Sequence, residues 1–298
     1  MSERIIRMAD KDDKNYIHAL WKKTTAMPDL FLEEYFKNRF DPRKILVLES
    51  DGKPEAALHM APHVMMLNGK RVMYYYLMGN VSQEALLEEA LNTASTQCLV
   101  TVVPVQDDII LEAYGFTRTY NRNRFTFKRD DIRKYNTSRV TTAITMGQCV
   151  DAYNMFTKTF DGYQLRDETY FEELDRSLQA RGGMLLGYLK PDGTLSGYMT
   201  MTVEPKICRI DEIIYLDGES LACLLAYAAG LRSTVEVYTS EMETIHPIVP
   251  NALLQKADGW MARINHEELF CYAYHLEQGL QQKGIDVFSK PKYLNQKV

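Results

Sequence analysis

Few residues of this chain are equipped for chemistry. His59 and His63 stand four apart on either side of Pro62, a spacing that on a helix would aim two imidazoles at one metal ion. Pro62 and the pattern around it indicate a strand, and two further strong ligands are missing. No metal is therefore expected, and the pair reads as ordinary half-exposed histidines. Tyr74-Tyr75-Tyr76 follow on the next predicted strand. A strand must send Tyr75 to the face opposite its two neighbours, so packing is the leading role and stacking on a ligand the second. Arg118, Arg122 and Arg124 share one face of a strand whose other face carries Phe125 and Phe127, which reads as a solvated outer face. Glu204 and Glu212 read as members of ion pairs rather than as catalysts. The 15 methionines fill cores or line an adaptable pocket, and the sequence does not choose.

Bulk properties bound what these residues serve. The 298 residues are too many for one ordinary domain and suit two, and a hydrophobic content of 46% gives each half a core. Lys and Arg number 35 against 40 Asp and Glu, a net charge of -5. A general nucleic-acid binder would carry a basic excess instead. Cys98, Cys149, Cys208, Cys223 and Cys271 include no CxxC pair or Cys/His metal spacing, so they read as reduced, mostly buried thiols. No run is apolar and long enough to span a bilayer, and the start lacks the apolar core of a signal peptide. The expectation is a soluble cytoplasmic protein with no nucleic-acid or membrane partner.

The elements that must position the candidates come in two similar sets. Phe31-Leu-Glu-Glu-Tyr35 precedes Tyr170-Phe-Glu-Glu-Leu174, and Asp51-Gly52 precedes Asp192-Gly193. Gly79 precedes Gly218, Ser82 precedes Ser220, and Gly115-Phe116 precedes Gly259-Trp260, all at an offset of about 140 residues. Five matches in one order point to a duplication. Apolar periodicity predicts helices over 12–24 and 28–39, then over 149–160 and 167–180. Strands are predicted over 45–48, 55–66 and 71–78, and again over 184–188, 195–203 and 207–216. Gly52 and Gly193 supply tight turns between the first two of each set. Ser82 is expected to cap a helix over 83–91, and Ser220 to precede its counterpart over 221–229.

Buried strands over 98–103 and 234–238 come next. A last helix in each half should then end at Gly115 or Gly259, each at C′ with positive φ. The halves are expected to superpose as domains over 1–130 and 143–264, joined by a linker over 131–142. Asn265 and Glu268 suggest a capping box for a helix through about Gln282. That helix and a tail make up residues 265–298.

This order, with Val103-Pro104 and Leu111-Glu-Ala-Tyr-Gly-Phe116, resembles GCN5-related N-acetyltransferase (GNAT) domains. It is similar in particular to bacterial acetyltransferases of the "enhanced intracellular survival" type, which fuse two such domains. Asn38-Arg39-Phe40, Asp51-Gly52-Lys53, Leu67-Asn68-Gly69-Lys70 and Tyr74-Tyr-Tyr-Leu-Met-Gly79 run as those sequences do. The resemblance covers residues 1–265. It implies an α/β (α+β) chain of two tandem domains with the acyl-CoA N-acyltransferase fold, each a mixed sheet flanked by helices. The sterol-carrier-like domain that usually ends such relatives has no counterpart, since only about 30 residues remain after Asn265.

In that family acetyl-CoA lies between the fourth and fifth strands. Its pyrophosphate sits on a Gly-rich loop where backbone N–H groups and a helix N-terminus converge. The resemblance puts any cofactor site of the first domain on Leu77, Met78, Gly79, Asn80, Val81 and Ser82. Only Asn80-Val81 separate Gly79 from Ser82, where relatives place a much longer loop, so the phosphate loop is missing. Leu216-Asp217-Gly218-Glu219-Ser220 is as short in the second half, and acidic. The family's general acid, a Tyr four residues before the closing Gly, falls on Leu111 and Gln255, and neither can supply a proton. Tyr114 would point to another helix face. His59 and His63 lie on the strand that borders the acceptor site in relatives. Either could serve as base for a substrate amine, and with Tyr75 they make up the substrate-side set.

Three functions stay open. One is acetyl-CoA-dependent N-acetyl transfer to an unknown amine, weak, atypical or lost because the active site is degenerate. Another is a catalytically silent relative that binds a small molecule or peptide in the old cleft. The third is an interaction protein whose duplicated domains pack as an oligomer.

Overall fold

The computed structural model describes residues 4–25, 27–105, 108–276 and 292–293. The first stretch opens with β1 (Arg4–Met8), α1 (Lys14–Thr24), α2 (Asp29–Asn38), β2 (Ile45–Ser50) and β3 (Lys53–Leu67). It continues with β4 (Lys70–Gly79), α3 (Glu84–Ser95), β5 (Val100–Pro104), α4 (Asp108–Ala113) and β6 (Thr117–Lys128). The second opens with β7 (Val140–Thr141), α5 (Met146–Thr157), β8 (Gly162–Gln164), α6 (Glu168–Ala180) and β9 (Gly183–Leu189). Then come β10 (Leu195–Val203), β11 (Ile207–Tyr215), α7 (Gly218–Leu231), β12 (Thr234–Ser240) and β13 (Leu253–Ile264). Last are α8 (Glu267–Tyr274) and β14 (Lys292–Tyr293).

These elements form two compact units. The first takes the chain up to Thr119 and again from Gly259 through α8; the second takes Tyr120–Asp258 and β14. A division into 1–130 and 143–264 runs along the chain, whereas the units cut across it at two strands. The first unit's sheet is ordered β1-β2-β3-β4-β5-β13, and the second unit's β6-β12-β11-β10-β9-β7. In the first, Trp260–Ile264 of β13 run antiparallel to Val100–Pro104 of β5. In the second, Arg122–Lys128 of β6 run antiparallel to Thr234–Ser240 of β12.

Within the first unit, turns set the register. Asp51 and Gly52 have φ of 50° and 76°, and Asn68 and Gly69 have 45° and 78°, the left-handed pairs that close two-residue hairpins. Leu86, Leu87, Ala90, Leu91 and Ala94 of α3 pack on Leu46, Leu48, Leu58, Met60 and Leu77 of the sheet. Gly115 closes α4 as expected: its φ is 80°, and the Phe116 N–H donates to the Leu111 carbonyl at 3.1 Å.

Several expectations are corrected. β1 was not anticipated. The second half has no counterpart of α4, because residues 241–252 form turns and Gly259 lies inside β13. Counted from Gly259 as α4 is from Gly115, that helix would run over 252–257, a stretch that instead leads into and opens β13. Gly79 and Gly218 do not hold matching places, since one ends β4 and the other opens α7. Gln83, not Ser82, occupies the N-cap of α3, and no side chain caps that helix. His266 caps α8 by accepting from the Leu269 N–H, and the helix ends at Tyr274. Its expected extension to Gln282 lies outside the described residues. No described helix is long and apolar enough to cross a membrane.

Candidate functional site

Both units contain a pair of parallel strands that start together and part. In the first, β4 and β5 are in register only over Tyr74↔Val100, Tyr75↔Thr101 and Tyr76↔Val102. Leu77, Met78 and Gly79 run on without a β5 partner. In the second, β11 and β12 pair from Ile207↔Thr234 to Ile210↔Val237, and Asp211–Tyr215 run on. Parted strands present backbone amides that an extended, amide-bearing ligand can pair with as an added strand.

The segment after β4 is fastened down. Gly79 has φ of 111°, and a Cβ there would lie 2.6 Å from the Ala57 carbonyl oxygen. That oxygen accepts from the indole Nε1 of Trp21 and from the Asn80 N–H, each at 3.0 Å. The Asn80 side chain accepts from the Ala57 N–H at 3.1 Å and donates to Thr24 at 3.0 Å. Val81 donates to Gly79 and is buried in the core, and Gln83 donates to Asn80. The backbone donors of Asn80, Val81 and Gln83 are thus engaged within the protein. In the second unit Asp217 occupies the N-cap of α7, its carboxylate accepting from the Ser220 N–H and from Ser196 at 2.8 Å each. Lys190 pairs with it at 3.0 Å. Burial pushes the Asp217 pKa up, but these bonds outweigh it and hold the carboxyl well below the usual range.

The substrate-side set is split. The β3–β4 register places His63 opposite Tyr74 and His59 opposite Met78, with Tyr75 opposite Pro62. Directly paired residues share a face, so the two histidines lie with Tyr74 and Tyr76. Tyr75 lies on the other face, packed against the α3 core with its hydroxyl donating to Gln97.

Nor is His59 half-exposed, since only 6% of it reaches solvent. Burial, aided by the charges of Lys44 and neighbouring groups, pushes its pKa down to about 3. Burial brings His63 to about 4. Both imidazoles are neutral at pH 7. The Tyr35 ring from α2 lies 5.6 Å from that of His59, and Tyr74 lies 5.6 Å from His63. Trp260 of β13 meets Tyr76 edge-on at 5.2 Å. Arg39 lies over Phe31 and Tyr35, at 5.2 and 5.4 Å, and pairs with Glu34 at 2.7 Å.

The two nitrogens of His59, the Tyr35 hydroxyl and Trp260 Nε1 have no hydrogen-bond partner among the described residues. Leaving such groups unpaired costs about 1–3 kcal/mol each. Their concentration on one face marks a place where a polar ligand or water gains free energy. Tyr35, Arg39 and Trp260 were not among the residues expected here.

Leu111 is buried in the apolar core, and the Tyr114 hydroxyl donates to Glu88 at 3.0 Å. In the second unit Glu212 is an ion-pair member as expected. Fully buried Arg166 donates to it at 2.9 Å and stacks on Tyr153 and Tyr170 at 4.2 and 4.6 Å. The Tyr293 hydroxyl also donates to Glu212, at 2.9 Å. Glu204 pairs with Arg209 at 3.3 Å. The expected outer arginine face is not uniform. Arg118 is exposed, but Arg122 lies 4.6 Å over Tyr238 and donates to the Asp211 carbonyl, and Arg124 bonds to Gln255.

No family profile and no curated protein matches the chain in sequence. Among solved structures it is similar to a GCN5-related N-acetyltransferase from Anabaena variabilis, with a TM-score of 0.73 and 18% identity. That likeness covers 89% of this chain and 73% of the other. A probable N-acyltransferase of unknown function from Enterococcus faecalis gives 0.72 and 15%, again over 89% and 73%. Eis1 from Mycobacterium abscessus gives 0.65 and 12%, over 91% and 76%. The chain therefore has the acyl-CoA N-acyltransferase fold of the GCN5-related N-acetyltransferases.

Proposed function

We propose that this chain is a catalytically weakened or silent protein of that fold, which binds a small amine or a peptide in the cleft between β4 and β5. The fastening of Gly79–Gln83 carries this reading. An acetyl-CoA pyrophosphate is held by several charge-assisted hydrogen bonds, each worth about 1.5–3 kcal/mol. Here the N–H groups of Asn80, Val81 and Gln83 are engaged by Ala57, Gly79 and Asn80. Losing even two such bonds weakens binding roughly a hundredfold or more. The backbone of Leu77–Gly79 can still pair with an extended chain, and neutral His59 together with Tyr35 and Trp260 offers hydrogen bonds beside it.

A second reading, residual N-acetyl transfer with acetyl-CoA, draws on one feature. No side chain caps α3, so its first N–H groups can meet an anion. The Phe31–Tyr35 and Asp51-Gly52 matches, which fall on corresponding helices and turns, together with a parted strand pair in each unit, support descent from a tandem duplication.

Calorimetric titration of the purified protein with acetyl-CoA separates the readings. The expected dissociation constant lies toward the millimolar range. A low-micromolar constant, weakened by substitution of Gly79 or Ser82, would restore the enzyme.

A further inference from the structure

The second unit holds a cavity of 420 Å³ that the proposed reading leaves unused. It lies at the open end of the parted β11 and β12. Tyr215 ends β11, Met242 and Glu243 follow β12, and Met155, Phe156 and Phe160 close it from the C-terminal end of α5 and just beyond. The Phe156 ring stands 5.3 Å from Phe160 and 5.7 Å, edge-on, from Tyr215.

Among the described residues lining the cavity, Glu243 is the only Asp, Glu, Lys or Arg. It is 8% exposed, and its Oε2 accepts from the Ser240 N–H at 3.0 Å. Its Oε1 has no hydrogen-bond partner among the described residues. The ionisable groups that act on it are Tyr215 and Glu212 of β11. It in turn acts on Tyr120 of β6 and Tyr293 of β14. Buried Arg166 is committed to Glu212. Burial first, then the Glu212 charge, push the Glu243 pKa up to about 8.

We infer that this cavity binds an organic ammonium ion with an apolar body, its charge met by Glu243 and the rings of Phe156, Phe160 and Tyr215. Its size falls in the ordinary range for small-ligand sites. A cation between a carboxylate and aromatic faces gains from both. Among the described lining residues an anionic ligand would find no positive side chain. Met155 and Met242, 55% and 62% exposed, sit among the lining residues with adaptable side chains. At pH 7 the carboxyl proton leaves for solvent as the ammonium arrives, so that a carboxylate and a cation form the bound pair.

The test is titration of the full chain with 2-phenylethylammonium in buffers of different ionisation heat, alongside spectra of methyl-labelled methionine. Saturable 1:1 binding, release of close to one proton at pH 7, and shifts of the Met155 and Met242 methyls are expected. Affinity should fall about tenfold from pH 7 to pH 6. Glu243→Gln, nearly isosteric, should weaken binding at least about tenfold. Met242→Trp, a change at an exposed position, should obstruct the cavity while leaving the melting temperature unchanged. The idea is overturned if N-acetyl-2-phenylethylamine, the uncharged version of the same body, binds as tightly. It is equally overturned if Glu243→Gln changes nothing, if the two methyls do not move, or if the amine does not bind. None of these outcomes bears on acetyl-CoA at β4.

Discussion

Replacing Gly79 with Ala probes the segment on which the functional reading rests. At φ of 111° an L residue is strained whatever the space around it, a penalty of about 1–2 kcal/mol. The space is also absent. The new Cβ would lie 2.6 Å from the Ala57 carbonyl oxygen and 3.0 Å from Trp21 Nε1. Neither can yield cheaply, because Ala57 and Trp21 are fully buried. The Ala57 oxygen holds two hydrogen bonds, and parting one leaves a buried donor unpaired, at about 1–3 kcal/mol. The expected loss is about 3–5 kcal/mol. Urea unfolding followed by tryptophan fluorescence measures it directly, since the chain has two Trp residues and a Trp260→Phe background leaves Trp21 as the sole reporter. Gly218→Ala is the control, because nothing lies within 4 Å of its Cβ and its φ is not positive. That change should alter stability by less than about 0.5 kcal/mol. A loss below about 1 kcal/mol for Gly79→Ala, or one equal to the control's, would show that the turn after β4 yields easily. That turn would then be free to open and cradle a phosphate.

Glu212→Leu should cost about 3–5 kcal/mol by stranding the buried Arg166 charge, and adding Arg166→Met should recover most of it; a double-mutant cycle in urea reads both. Asp217→Ala should cost about 1 kcal/mol at pH 7 through the lost cap. Because the folded pKa of Asp217 is depressed, that stability exists above the unfolded value near 4 and is lost as pH falls through the folded one. The gap between variant and parent should therefore hold from pH 7 to about 5 and shrink at lower pH, as followed by thermal melting. His59 also has a depressed pKa, about 3 against an ordinary 6.5, but as a base. The unfolded chain takes up its proton first, so stability should drop by about 1.4 kcal/mol per unit between pH 6 and 4 on its account. His59→Phe should flatten that slope.

Local pattern carried most of the fold. The helices α1, α2, α5 and α6 follow from apolar periodicity, and the β2–β3 and β3–β4 hairpins from Asp51-Gly52 and Asn68-Gly69. The split of the substrate-side set was also legible. Counting back from the Asn68-Gly69 turn puts Tyr74 opposite His63 and so turns Tyr75 away. The partners of β6 and β13 were beyond reach, because alternation identifies a strand but not the edge it will join. Trp260 stayed hidden for that reason. Tyr35 was hidden because an aromatic on an apolar helix face looks the same whether or not its hydroxyl is satisfied. The neutral state of His59 depends on burial that no single stretch of sequence encodes.

The place of β13 in the first unit has a consequence for synthesis. Translation at 5–20 residues per second leaves on the order of 10–30 s between the emergence of β5 and that of the strand that covers it. Throughout that interval Val100–Pro104 offers the bare edge of an apolar strand, the kind of surface that recruits other chains. The first unit cannot finish folding on the ribosome as its own residues appear, and pairing across so long a loop is slow once it begins. Yield in a heterologous host should therefore depend on translation speed and on chaperones that shield strand edges. A gene cut between the halves would encode a first fragment that aggregates rather than a free-standing domain.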